Sequence, residues 1–261
     1  MRSASGKLFI YEKAQLIEVI CQVRFPTILS IEASPPAQFQ DTIRGVFPRY
    51  LCRREKSAGR NGETQEILNH TFVSEDSSWK LNLTKSFFSL STIRYMGWEN
   101  FASRLDEPLG QFIQIYHPAF FLRVGLRYVN AFSRKNLELE DRRWNDLLQP
   151  QYLGLMDDDD LEESEVLKND MDHMRKMDEH SALKLHTGLA RINRTVQTMN
   201  QIQTIRDPED RFILDQDLFS SRQVNLPDVM SMLNRLHGHA DRIYSEAITD
   251  VLHDAMCPVE L

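Results

Sequence analysis

Glycine is scarce in this chain, at 10 of 261 residues, and the glycine motifs that cradle phosphates are missing. There is no G-x-G-x-x-G and no G-x-x-x-x-G-K-[ST], so the dinucleotide and P-loop classes are excluded by pattern. G-x-S-x-G and C-x-x-C are absent as well, which removes the usual hydrolase elbow and the thioredoxin-type redox pair. The three cysteines, Cys21, Cys52 and Cys257, are odd in number and widely spaced. A disulfide framework needs an even, patterned set, so a reducing compartment is expected. No apolar run approaches the ~18 residues of a membrane span. The apolar patch at 8–11 is too short for a signal peptide, so a cytoplasmic location and no membrane association are expected.

What is present is ordinary globular composition, 41% hydrophobic and 26% charged, enough for a core without metal or disulfide staples. The net charge of −7 is unevenly placed. Residues 1–135 hold 18 Lys/Arg against 12 Asp/Glu, and residues 136–261 hold 13 against 26. Sign separation of this kind orients a partner or another copy of the chain.

The hydrophobic pattern alternates between periods of two and of 3.6. Residues 17–25 (IEVICQVRF) read as a half-buried strand, with Cys21 as one of its small buried side chains. Ser34 and Pro35 then suggest a helix start, with Phe39, Ile43, Val46 and Phe47 on one stripe. Residues 53–64 (RREKSAGRNGET) read as a polar loop. Strands are expected at 65–73, 79–84 and 87–95, with a hairpin turn at 75–78. A helix follows from Trp98, with a kink or a break at Pro108, and a strand covers 119–132. Further strands are expected at 183–192, 195–205 and 212–218, and a long amphipathic helix at 228–256. Residues 166–177 fit a strand and a helix equally well.

Strands joined by short turns and interleaved with amphipathic helices point to an α+β fold, antiparallel sheets with helices packed on one face. The expected organisation is an N-terminal α+β half at 1–135, an acidic connecting segment at 136–181, and C-terminal strands with a long helix at 182–261. The second half reads as a smaller relative of the first.

Candidate sites are few. Arg24, Arg123 and Arg127 share strand faces and suit carboxylate or phosphate groups, or pair with Glu18, Asp215 or Asp217. Asp215 and Asp217 alternate, so both point to one side of a strand. These five residues are the candidate polar lining of a ligand-binding or enzymatic cavity between the sheet and the C-terminal helix. Arg49, Arg53, Arg54, Lys56 and Arg60, with Tyr50 among them, are a candidate nucleic-acid contact, against which the pI of about 5.6 argues. His237 and Asp241 share a helix face while His239 points elsewhere, so no zinc pair is expected. The run at 157–165 packs seven carboxylates into nine residues without EF-hand spacing, and reads as a solvated loop. No cofactor, metal or catalytic residue is expected.

Several stretches carry a family likeness: the opening IEVICQVRFP, then FFSLSTIRYMGWENF, FLRVGLRYVN, FILDQDLF and SEAITDVLHDAMCP. In these the chain resembles a sporadically distributed, functionally uncharacterised family of prokaryotic proteins of about this length. The resemblance implies a bacterial or archaeal cytoplasmic protein of the accessory-gene type, with no active site to carry over. The function expected is a non-enzymatic protein-interaction or regulatory module in a mobile-element or phage-defence context. Its partner would be the product of a neighbouring gene or a second copy of the chain.

Overall fold

A computed structural model describes residues 9–58, 64–191, 194–197, 202–205 and 209–260. Side chains at 56–65 and 192–208 are outside the description. The α+β architecture is built on one large antiparallel sheet. In chain order its elements are β1 (Phe9–Tyr11), β2 (Leu16–Arg24), α1 (Ser30–Ala33), α2 (Ala37–Ile43), β3 (Arg49–Ala58), β4 (Thr64–Val73), β5 (Trp79–Leu83) and β6 (Phe87–Thr92). Next come α3 (Trp98–Tyr116), β7 (Arg123–Phe132), α4 (Arg134–Leu137), α5 (Trp144–Leu147), β8 (Asp170–Lys176) and β9 (Ser181–Arg191). The chain continues through β10 (Arg194–Gln197), β11 (Ile202–Ile205), β12 (Asp210–Ser220), α6 (Val229–Ala247), α7 (Asp250–Ala255) and β13 (Pro258–Glu260).

Nine strands pair in the order β3-β4-β5-β6-β2-β7-β12-β9-β8. Six neighbouring strands come from residues 1–135 and the other three from beyond it, so within this sheet the two stretches of chain meet at one antiparallel ladder, β7 against β12. Two small ribbons complete the pairing, β1 with β13 and β10 with β11.

The alternation of each strand decides its faces. In β7 the even-numbered residues Val124, Leu126, Tyr128 and Phe132 are buried against the helices. In β12 Phe212, Leu214 and Leu218 do the same. Phe101, Leu105, Leu109 and Phe112 form the buried stripe of α3, where Phe112 meets Phe25 and Phe88 and Phe101 meets Trp79. Leu233, Leu236, Ala240 and Ile243 of α6 are buried as the helix crosses β7 and β12. Trp144 of α5 packs on Phe212. All of these belong to one continuous core.

Several sequence expectations need correction. The helix expected from Ser34 begins at Ala37, because Pro35 itself precedes Pro36 and a residue before proline avoids the helical region. The helix at 98–116 runs unbroken through Pro108, its buried stripe docked along its length. The polar stretch at 53–64 is not a loop throughout: residues 49–58 form β3, paired over ten residues with β4. As an edge strand it needs no apolar face, so composition hid it. The strand expected at 195–205 is a hairpin, β10 with β11. The helix at 228–256 stops at Ala247, where extended Ile248 bridges to Leu148 and the Thr249 side chain caps α7. Residues 170–176, ambiguous by pattern, are strand β8. The acidic run wraps a cation: Arg143 donates to the carbonyls of Asp158, Asp159 and Leu161, while Glu163 pairs with Arg134.

If α6 is seated as described, Leu236→Ala leaves a cavity over the sheet and lowers the unfolding free energy by about 2–5 kcal/mol. Urea denaturation measures this, and a loss below about 1 kcal/mol would contradict the packing.

Candidate functional site

The second face of the sheet carries the polar residues. On β7 it presents Arg123, Gly125, Arg127 and Val129, and on β12 Asp215, Asp217 and Phe219. The structure brings the five residues Arg24, Arg123, Arg127, Asp215 and Asp217 onto this face, opposite α6. That corrects the expected location. The space between the sheet and the C-terminal helix is filled by Tyr128, Leu233, Leu236, Ala240 and Ile243, all buried.

Four of the five form two ion pairs across the β7–β12 seam. Arg127 donates through Nε to Asp215 Oδ1 at 2.7 Å, and its second nitrogen reaches Asp215 Oδ2. Arg123 grips both oxygens of Asp217, at 2.8 and 2.9 Å. The carboxylate of Asp215 is the main reason that the Arg127 guanidinium is held above its ordinary pKa. Arg123 reaches Asp217 by lying over Gly125, where a Cβ would collide with its guanidinium, and its charge sits 4.5 Å above the Phe219 ring. Arg24 stands directly opposite Arg123, and its side chain donates to Gln22 Oε1 at 2.9 Å. Burial and the charge of Arg123 lower its pKa, against the pull of Asp217.

Register extends this arrangement across six strands. Leu51, Thr71, Asn82, Ser89, Gln22 and Gly125 align in one uncharged row. Thr71 donates to Asn82 at 2.9 Å within it. On one side lies the row Arg49, Val73, Lys80, Ser91, Ile20 and Arg127. On the other side Arg53 pairs with Asn69, and Phe87, Arg24 and Arg123 align. A neutral floor therefore runs between two rows with three cations each. Much of this surface lines a depression of about 480 Å³. Glu18 and Glu55 also line it, but in the rows outside the cationic ones.

The halves of this face differ in charge pairing. Toward β8 most of the charges are paired: Lys184 and His186 face Asp172, and Arg123 and Arg127 hold Asp217 and Asp215, with Lys176 outside these pairs. Toward β3, Arg24, Arg53 and Lys80 form no ion pair among the described residues, and Arg49 bonds to Ser77 Oγ at 3.0 Å. Asn69 is 6% exposed, and its side-chain oxygen has no donor although its amide reaches Glu55 at 2.9 Å.

The basic segment nominated for nucleic acid divides between the faces of β3. Arg49 and Arg53 join the groove, while Arg54 points to the other side and pairs with Glu66 at 3.7 Å. Lys56 is described only by its backbone on β3, and Arg60 lies outside the described residues. Lys80 was not singled out by sequence, since a lone lysine alternating with apolar residues carries no signal until register places it.

The histidine string on α6 is structural in its contacts. His237 stacks on Trp98 at 4.7 Å and meets the Tyr128 hydroxyl at 3.0 Å, with Asp241 3.4 Å from its other nitrogen. His239 points away and meets Asp178 at 2.8 Å. Burial pushes the Asp178 pKa up, but hydrogen bonds from His239, the His180 amide and Ser181 outweigh it and hold the carboxyl well below its usual range. Among the described residues no group of three or more His, Cys, Asp or Glu is placed to hold a metal ion. No helix among them is long and apolar enough to cross a membrane.

The chain matches no protein-family model and no curated protein.

Two outcomes follow from the site's electrostatics. A double-mutant cycle on Arg123→Ala and Asp217→Ala should give a coupling of about 1 kcal/mol. In a Gly125→Val background, where the guanidinium is displaced, that coupling should fall close to zero; an unchanged value would refute the role given to Gly125. Under the same sheet end, His70 is buried, with Nε2 3.2 Å from the Ile31 carbonyl and Nδ1 2.9 Å from the Tyr50 hydroxyl. Burial lowers its pKa, with the Ile31 carbonyl and Glu32 opposing. The unfolded imidazole therefore protonates first. The contribution of His70 to stability is complete above its unfolded pKa of ~6.5 and is lost as pH falls from there toward the native value. Urea midpoints measured from pH 7.5 to 5 should fall less steeply for His70→Gln than for the natural chain, and parallel curves would exclude the effect.

Proposed function

We propose that this protein is a non-enzymatic interaction module, and that the polar face of its sheet is the surface that engages a protein partner. One observation carries the reading: helices cover one face, and the other presents a neutral floor between rows of cations. Four of those cations, Arg24, Arg49, Arg53 and Lys80, form no ion pair with a carboxylate among the described residues. Like charges directly opposite on neighbouring strands cost stability, as Arg24 and Arg123 do. A sheet built only for stability gains nothing from that arrangement, whereas a binding face gains electrostatic complementarity and partner selection.

The partner in this reading is the product of a neighbouring gene, with the protein acting as an accessory or regulatory subunit in a mobile-element or phage-defence setting. Steering by the basic stretch of the chain, away from the acidic one, would set the orientation of docking.

Co-expression with the adjacent gene product tests the reading. The natural chain should co-elute with it on size exclusion, and Lys80→Glu and Arg53→Glu should lose co-elution while keeping an unchanged melting temperature. Absence of co-elution by the natural chain, or full retention by both variants, would overturn it.

A further inference from the structure

We infer that the groove across the sheet takes an extended acidic peptide segment, its carboxylate side chains directed alternately at the two cationic rows. This rests on the polar face being the binding surface and names the chemistry of what it binds.

The first argument is the placement of charge. Cations flank the floor on both sides: Arg49, Lys80 and Arg127 on one, Arg53, Arg24 and Arg123 on the other. Arg127 and Arg123 are already neutralised by Asp215 and Asp217, so the uncompensated charge is Arg49 and Lys80 against Arg53 and Arg24. A ligand that answers both rows must carry anions on both of its sides. An extended peptide does so by construction, because successive side chains point in opposite directions. A single nucleic-acid strand carries its phosphates along one edge and presents bases along the other. Single-strand binders meet those bases with aromatic platforms, and the floor here is Thr71, Asn82, Ser89 and Gln22. Of the nearby rings, Phe219 is covered by the Arg123 guanidinium, and Phe87 stands at the margin in the row of Arg24, off the floor.

The second argument is size. Residues in the flanking rows are four apart along each strand, so the rows stand ~13 Å apart. That separation admits one extended chain with its side chains. Six strands at ~4.8 Å spacing give a run of ~24 Å, about seven residues of extended peptide.

The third argument is hydrogen bonding. Gln22, Asn82, Ser89 and Thr71 on the floor offer amide and hydroxyl groups to a peptide backbone. Glu18 and Glu55, in the outer rows, would repel a chain that strayed from the floor.

Fluorescence polarisation of the whole protein with three labelled probes tests this. The probes are a peptide of about ten residues rich in Glu and Asp, its Gln/Asn counterpart, and an oligothymidylate of about ten nucleotides. The acidic peptide should bind saturably and lose affinity as salt rises. Its affinity should fall about tenfold or more for the amide counterpart and for Arg24→Glu and Lys80→Glu, but not for Arg175→Glu on the far edge strand. Each variant must keep the circular dichroism and melting temperature of the natural chain, and charge-neutral Arg24→Gln and Lys80→Gln replace any that does not. Binding that ignores the groove variants would place the peptide elsewhere and overturn the inference. Preference for oligothymidylate, lost in the same variants, would replace it with a nucleic-acid ligand. If neither probe binds, yet the face variants still abolish co-elution with the partner, the ligand chemistry fails while the binding face stands.

Discussion

The ladder between β7 and β12 is the interaction on which the rest of this structure depends. It is the one place where the six strands of the early chain join the three of the later chain. Above it, α6 lays Leu233, Leu236, Ala240 and Ile243 on the inward residues of both strands. Below it, two Arg–Asp pairs bind the strands through their outward residues. Apolar burial on one side and paired charge on the other make the join specific in register. A slip of one residue would put Arg123 and Arg127 into the core and Leu126 and Tyr128 into water.

That seam also sets where charge is free. Asp215 and Asp217 consume Arg127 and Arg123, and the carboxylates of β8 face Lys184 and His186 of β9. Toward β3 the same face carries Arg24, Arg49, Arg53 and Lys80, which form no ion pair among the described residues, with Glu18 and Glu55 in the outer rows. The charge imbalance between early and late chain thus becomes a gradient along a single surface, ending in a groove with basic margins. The residues first suspected as two separate sites, Arg24 with Arg123 and Arg127, and Arg49 with Arg53, lie on one face in the rows that flank the neutral floor.

Periodicity was a good guide wherever one face of an element is buried. Strands β2, β5, β7 and β12 and helices α3 and α6 each bury a regular set of side chains, and those sets are visible as alternation or as stripes. It was a poor guide at the edges. β3 and β8 expose most of their described side chains, so RYLCRREKSA runs into a stretch that reads as a loop and DMDHMRK fits a strand and a helix equally well. Backbone pairing stabilises them, and pairing leaves no mark on composition.

The amino-acid order alone determined the class of fold, the inward faces of the central strands and the absence of familiar catalytic motifs, because each follows from local spacing. It also showed which charges share a strand face. Only the tertiary structure decided that the candidate arginines stand opposite the C-terminal helix, that Lys80 belongs with them, and that a neutral row separates two basic ones. Those facts depend on register between strands distant in the chain, such as Ile20 with Arg127 or Val73 with Lys80. Register is fixed by burying the whole sheet at once, so no single segment encodes it.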